Sequence, residues 1–175
     1  MDSTILERPS LSWGLDVNEH LMLPHCEASN ASELLTQMAA RLHGLGYVDE
    51  GFVNALLDRE RDYPTGLATQ PVSVAIPHAY PGFVVKPALA VAVLKQPVDF
   101  QAMGEPERTL PVRVVFLIAI NEPTAQVDFL QRFALAMQND TFLPGLLAAQ
   151  NACQVRDLVM RSLIEVESTE PQGDK

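Results

Sequence analysis

The chain has 175 residues, 47% of them apolar and 19% charged, and its net charge is −10. This length suits a single domain with a sizeable core, and the composition excludes a disordered chain. The acidic balance argues against a general binder of nucleic-acid backbones, which needs a basic face.

Residues 1–17 are mixed in character and predicted to be loose, and they lack the charged-then-apolar pattern of a signal peptide. His20-Leu-Met-Leu-Pro24 is predicted as a short strand that the proline ends. Ala31, Leu34, Leu35, Met38, Ala39 and Leu42 then follow helical spacing. Asn30 and Glu33 have the spacing of a capping box, and Gly44 and Gly46 mark the helix exit. A second helix is predicted from Asp49 as N-cap, with Phe52, Val53, Leu56 and Leu57 inward and a stop before Pro64.

Residues 65–71 read as a loop, and 72–76 as a short strand cut off by Pro77. Residues 89–94 are apolar at every position, as in a strand covered on both faces. Residues 95–111 form a polar hairpin or loop around Gly104, and 112–120 is the expected central strand. Its apolar run, 114–120, is far too short to span a bilayer.

Three helical stretches follow. The first carries Pro123 in its first turn, where a missing N–H costs nothing, and is predicted to face inward through Val127, Leu130, Phe133, Ala134 and Met137. A shorter one covers 141–149. The last presents Val155, Leu158, Val159, Leu163 and Val166 on one side, before a polar tail over 168–175 that is expected to be disordered. Separate runs of strands and helices predict an α+β fold. The expected architecture is a central mixed β-sheet flanked by helices, a three-layer α/β/α sandwich, with one domain over 18–167.

Cys26 and Cys153 are the two cysteines, and no CxxC pair or His/Cys cluster with ligand spacing occurs. The chain is therefore expected to hold no metal, no cofactor and no disulfide framework. A soluble, cytoplasmic protein without direct membrane insertion is expected.

Chemistry concentrates around His78, which directly follows Ile76-Pro77 at a strand end. The proline fixes its own backbone and biases Ile76 toward an extended conformation, so the imidazole is delivered rigidly. Near neutral pH a histidine ring is largely uncharged, and one nitrogen can attack phosphorus. Upstream, Arg59-Glu60 closes the second helix and Pro64-Thr65-Gly66 follows it. Downstream, Gln126-Val-Asp-Phe-Leu130 opens the helix after the central strand.

The pattern Arg-Glu-x-x-x-Pro-Thr-Gly joined to Ala75-Ile-Pro-His78 resembles the fructose/mannitol class (type 2) of enzyme IIA domains of the bacterial sugar phosphotransferase system. The resemblance covers roughly residues 30–165. Within that class the chain is most similar to galactitol-type enzyme IIA, through Lys95-Gln-Pro-Val-Asp-Phe100, Asn121-Glu-Pro-Thr-Ala-Gln126 and the long loop between Thr65 and His78.

The resemblance implies a phosphotransferase component. His78 takes a phosphoryl group from the carrier HPr and hands it to a cysteine of enzyme IIB, which works with the membrane enzyme IIC. It implies no direct sugar binding and no nucleic-acid partner. Arg59 would neutralise phosphoryl oxygens, a task suited to a bidentate, permanently charged guanidinium. Glu60 would orient Arg59 or His78, or stand as a solvated helix-end carboxylate. Thr65 would donate a hydroxyl to the phosphoryl group or shape the turn. The mannitol and fructose branches carry a second histidine where this chain, like galactitol-type members, has a glutamine, Gln126, which can donate a hydrogen bond but cannot become cationic.

An apolar docking patch is expected from Ile76, Ala79, Tyr80, Phe83 and Val84. Leu23-Pro-His25-Cys26 imitates the active strand end but lacks the Arg-Glu and Thr-Gly approach. A regulatory, nitrogen-type relative whose phosphorylation state controls other proteins is the alternative to transport.

Overall fold

The computed structural model describes residues 14–164. Val166, the tail over 168–175 and residues 1–13 of the N-terminal segment lie outside the described residues. Residues 14–17 are not loose. Leu15 is buried, and Asp16 is bridged to Ala88 through its backbone N–H, which donates to the Pro87 carbonyl (2.9 Å). The Asp16 carboxylate also accepts from the Tyr47 hydroxyl (2.5 Å) and the Asn18 amide (3.2 Å).

The fold is α+β: five strands form one mixed sheet and helices pack around it. Strand β1 is Met22–Cys26, so Pro24 lies inside it rather than ending it, and His20 falls in a 3-10 turn, Glu19–Leu21, just before. Helix α1, Ala31–Gly44, begins where expected because the Asn30 side chain accepts from the Glu33 N–H (2.9 Å). The Glu33 carboxylate reaches back one residue further than a capping box, to the Ser29 N–H (2.8 Å). Helix α2, Phe52–Asp62, is capped at Gly51, and Asp49 accepts from the Gly51 N–H (2.9 Å) instead of serving as N-cap itself.

Strands β2, Gly66–Leu67, and β3, Ser73–Ala75, form a short antiparallel pair where a loop and one strand were expected. Strands β4, Ala88–Ala102, and β5, Glu105–Ala119, are a single long hairpin of two 15-residue strands. The hairpin alternative for 95–111 is therefore the observed one. Val98, Phe100 and Ala102 alternate inward, and Gly104 takes φ +77 at the tip, a left-handed conformation that glycine adopts at no steric cost. Every residue from Ala88 to Leu94 is buried. Successive strand residues point to opposite faces, so both faces of β4 are covered.

Helix α3, Pro123–Met137, starts at the predicted proline and keeps Leu130, Phe133 and Met137 of the predicted face against the core, but its buried stripe is shifted. Ala125, Phe129, Phe133 and Ala136 are buried, while Val127 is 57% exposed and Ala134 is exposed. The aromatic rings decide the shift: Phe133 packs edge-on to Phe116 of β5 at 5.1 Å and stacks with Phe129 at 6.2 Å. Helix α4, Phe142–Ala148, adds Phe142 to Phe116 at 6.1 Å. Helix α5, Ala152–Val159, continues as a π-helical turn, Met160–Ile164, and buries Val155, Val159 and Leu163.

Strand β1 runs parallel to β4, and β3 parallel to β5. Strand β2 joins β3 on one side and meets β4 on the other, through Gly66 opposite Ala102. Strands β2, β3, β5 and β4 thus pair in a closed ring at this part of the sheet. The closure needs glycine. A Cβ at Gly66 would lie 2.6 Å from the Gln101 carbonyl oxygen, a backbone atom that cannot swing aside. Gly66→Ala is expected to destabilise the fold by about 1–3 kcal/mol, seen as a lower urea midpoint at unchanged m-value.

Candidate functional site

His78 lies just past β3, and its backbone is clamped on two sides. The Ile76 N–H donates to the Thr65 carbonyl (3.3 Å), and the Ile118 N–H donates to the Pro77 carbonyl (3.0 Å). Pro77 is buried and has no N–H to satisfy. His78 itself bridges Ile118 in parallel register, so it stands at the end of the sheet where β5 runs into α3.

The ring is oriented by its own strand. The Nδ1–H of His78 donates to the Ile76 carbonyl oxygen (3.0 Å). A carbonyl can only accept, so Nδ1 carries the proton and Nε2 keeps its lone pair. Burial is the main force holding the imidazole below the ordinary histidine pKa; the Ile76 hydrogen bond opposes it, and the Arg59 charge reinforces it. The neutral, nucleophilic form is therefore favoured around neutral pH.

Arg59 and Glu60 are successive residues of α2 and cannot face the same way. The Arg59 guanidinium lies over the Tyr63 ring, 4.3 Å from its centroid, and 6.0 Å from that of Tyr80. It forms no ion pair with a carboxylate among the described residues. Glu60 turns instead to Thr65, accepting from its N–H (3.0 Å) and its hydroxyl (2.7 Å). Burial raises the Glu60 pKa, against the two Thr65 hydrogen bonds and the Arg59 charge.

Glu60 is thus hydrogen-bonded to neither Arg59 nor His78, and it is not a solvated helix end. Thr65 is 2% exposed and its hydroxyl donates to Glu60. Gln126 sits in the first turn of α3 at the His78 end of the sheet, and no hydrogen bond joins its side chain to His78 among the described residues.

The expected docking patch needs revision. Ile76 is 5% exposed and unavailable, and Val84 is bridged to Val48. Ala79 and Phe83 are partly buried against the core, whereas Tyr80 is exposed. The exposed large apolar side chains of α2, the segment after His78 and α3 are Tyr63, Tyr80, Val85, Val127 and Leu135. Tyr63, which the sequence pattern does not single out, is the C-cap of α2 four residues after Arg59, and its ring is brought to the guanidinium by that cap.

The look-alike His25 is at the other end of the strands. Cys26 pairs with Leu94, whereas His78 aligns with Ile118 and hence with Leu89. Five residues of strand separate those levels, roughly 17 Å. No cluster of three or more His, Cys, Asp or Glu side chains among the described residues could hold a metal ion, and no helix there is long and apolar enough to cross a membrane.

Comparison with known proteins gives a consistent picture. Residues 17–162 match the family model "Phosphoenolpyruvate-dependent sugar phosphotransferase system, EIIA 2". The chain is 24% identical over 147 residues to the fructose-specific EIIABC component of Bacillus subtilis, covering 82% of this chain but only 22% of that protein. It is 26% identical over 100 residues to the galactitol-specific EIIA component of Escherichia coli K12, covering 57% of this chain and 66% of that one. The fold superposes on enzyme IIAMTL in its complex with phosphorylated enzyme IIBMTL from Escherichia coli, with a TM-score of 0.68 and 22% identity over 84% of this chain and 99% of that one.

His78 is expected to titrate below an ordinary histidine, and Arg59→Ala to raise its midpoint by removing a repelling charge; ring-carbon NMR across pH 4–9 (roughly the range that brackets histidine titration) checks both. The unfolded chain binds this proton more readily, so the His78 contribution to stability is present above the unfolded-state pKa, about 6.5, and is lost as pH falls through the lower folded-state value.

Proposed function

The chain belongs to the EIIA 2 family of the phosphoenolpyruvate-dependent sugar phosphotransferase system, and on that premise we propose that it relays a phosphoryl group through Nε2 of His78. The observation that carries this reading is the tautomer. With Nδ1–H held by the Ile76 carbonyl, Nε2 keeps a lone pair, and the charge that acts on the ring is that of Arg59, which has no ion pair with a carboxylate among the described residues.

In the forward step the Nε2 lone pair attacks the phosphorus of the phosphohistidine carrier HPr. An N–P bond forms at His78 as the donor's N–P bond breaks, and the electron pair returns to the donor ring. In the second step a cysteine thiolate of enzyme IIB attacks the same phosphorus. The His78 N–P bond breaks, an S–P bond forms, and His78 regains its neutral ring. Catalysis in both directions is positioning and charge stabilisation. In this reading Arg59 offers its N–H donors to the phosphoryl oxygens, and the Gln126 amide donates as well. Glu60 and Thr65 serve the relay indirectly, by fixing the turn whose Thr65 carbonyl holds Ile76.

The partners are therefore HPr and enzyme IIB, with membrane enzyme IIC beyond it. Glutamine at position 126 and the 95–100 segment favour galactitol or a related polyol as the sugar moved by the system.

Incubation with phosphoenolpyruvate, enzyme I and HPr should yield one acid-labile phosphate per chain. His78→Ala should abolish it, and Arg59→Ala should slow its formation roughly a hundredfold, the scale of losing one aimed donor. Phosphorus–nitrogen NMR couplings should place the group on Nε2. Labelling that survives in His78→Ala rejects the assignment. Onward transfer to a galactitol-type enzyme IIB, compared with a fructose-type one, tests the sugar branch.

A further inference from the structure

Arg59 is the charged group that acts on His78 from α2, while the Ile76 carbonyl acts on the ring from its own strand. A cation used to meet phosphate must be held in place without its N–H groups being occupied. A carboxylate would fail on this count, since it takes up two N–H donors and cancels the charge. An aromatic face attracts the guanidinium through the ring quadrupole and leaves the N–H edge open.

Here two rings meet that requirement from different elements. Tyr63 caps α2 and lies one helical turn beyond Arg59, with its backbone N–H donating to the Arg59 carbonyl (2.8 Å) and its ring 4.3 Å from the guanidinium carbon. Tyr80 follows His78 by two residues and comes to 6.0 Å. The segment that carries it is fixed to the α1–α2 loop, where the Val85 and Lys86 N–H groups donate to the Tyr47 carbonyl (2.8 and 3.0 Å) and the Asp49 N–H donates to the Phe83 carbonyl (3.1 Å).

We propose that Tyr63 and Tyr80 are positioning residues for phosphoryl transfer: an aromatic clip that ties the Arg59 guanidinium to the His78 segment and leaves its donors free for the phosphoryl oxygens. The proposal rests on the relay reading above. Both rings are about three-fifths exposed, 61% and 59%, so neither fills the core. Their replacement removes little packing, and a loss of rate in folded variants is not a loss of fold.

The test uses the full chain as wild type, Tyr63→Leu, Tyr63→Phe and Tyr80→Leu, with Arg59→Ala as reference. Two readouts are taken: the His78 midpoint by NMR in unphosphorylated protein, and single-turnover transfer from phosphorylated HPr. With the guanidinium released, Tyr63→Leu should move the midpoint upward toward that of Arg59→Ala. It should also lower the transfer rate at saturating donor about twofold to fivefold, the factor an exposed cation–π contact supports. Tyr63→Phe keeps the ring face and should restore both values, and Tyr80→Leu should act in the same direction as Tyr63→Leu but less.

The clip is overturned if Tyr63→Leu moves neither readout, or if Tyr63→Phe loses as much as Tyr63→Leu. A weaker half-saturation for HPr at unchanged rate and midpoint overturns it too, because the rings would then be docking surface only. Should the wild type take up no phosphate at all, the relay fails, while the midpoint series still decides whether the rings hold Arg59 beside His78.

Discussion

The parallel pairing of β3 with β5 continues past the end of β3 through Pro77 and His78, and the placement of the imidazole depends on it. Ile118 receives both the Pro77 carbonyl and the His78 bridge, while Thr65 holds Ile76 from the other side. Two constraints make this possible. Gly66 lets β2 approach β4 at a distance that no side chain permits, and the Glu60–Thr65 hydrogen bonds hold the turn that leads into β2. The Thr-Gly pair thus helps hold the backbone that leads to the histidine.

On that support the electrostatics are arranged by exclusion. Burial, reinforced by the Arg59 charge, keeps the His78 ring neutral against the opposing Ile76 hydrogen bond, and that same bond fixes the proton on Nδ1. Adjacent residues of α2 divide two tasks by helix geometry. Glu60 points to the turn, and Arg59 points to the aromatic rings near His78. Had Glu60 paired with Arg59, the guanidinium charge would have been neutralised.

The same strand pairing separates two Pro-His sequences that look alike on paper. His25 adopts φ +54 at the Cys26 end of β1, beside a bulge in the β1–β4 ladder, and belongs to the opposite level of the sheet. A proline before a histidine fixes local backbone only. Whether the ring meets a cation depends on what the sheet brings beside it.

Local spacing determined the start of α1 at Asn30, the start of α3 at Pro123 and the mixed α+β class. These depend on side chains and backbone a few residues apart, so they are written in the order of the chain. The tertiary structure alone decided the full length of the β4–β5 hairpin, because its outer half is held by alternating contacts and a pairing with β2 rather than by an apolar run. It also brought Phe129 inward to stack on the predicted Phe133, which packs on Phe116, and left Val127 and Ala134 exposed. The commitment of Thr65 to Glu60 and the two rings around Arg59 belong to the same class. Each joins groups whose meeting depends on how turns and strands close, and hydrogen-bond geometry and ring contact exist only once that closure is made.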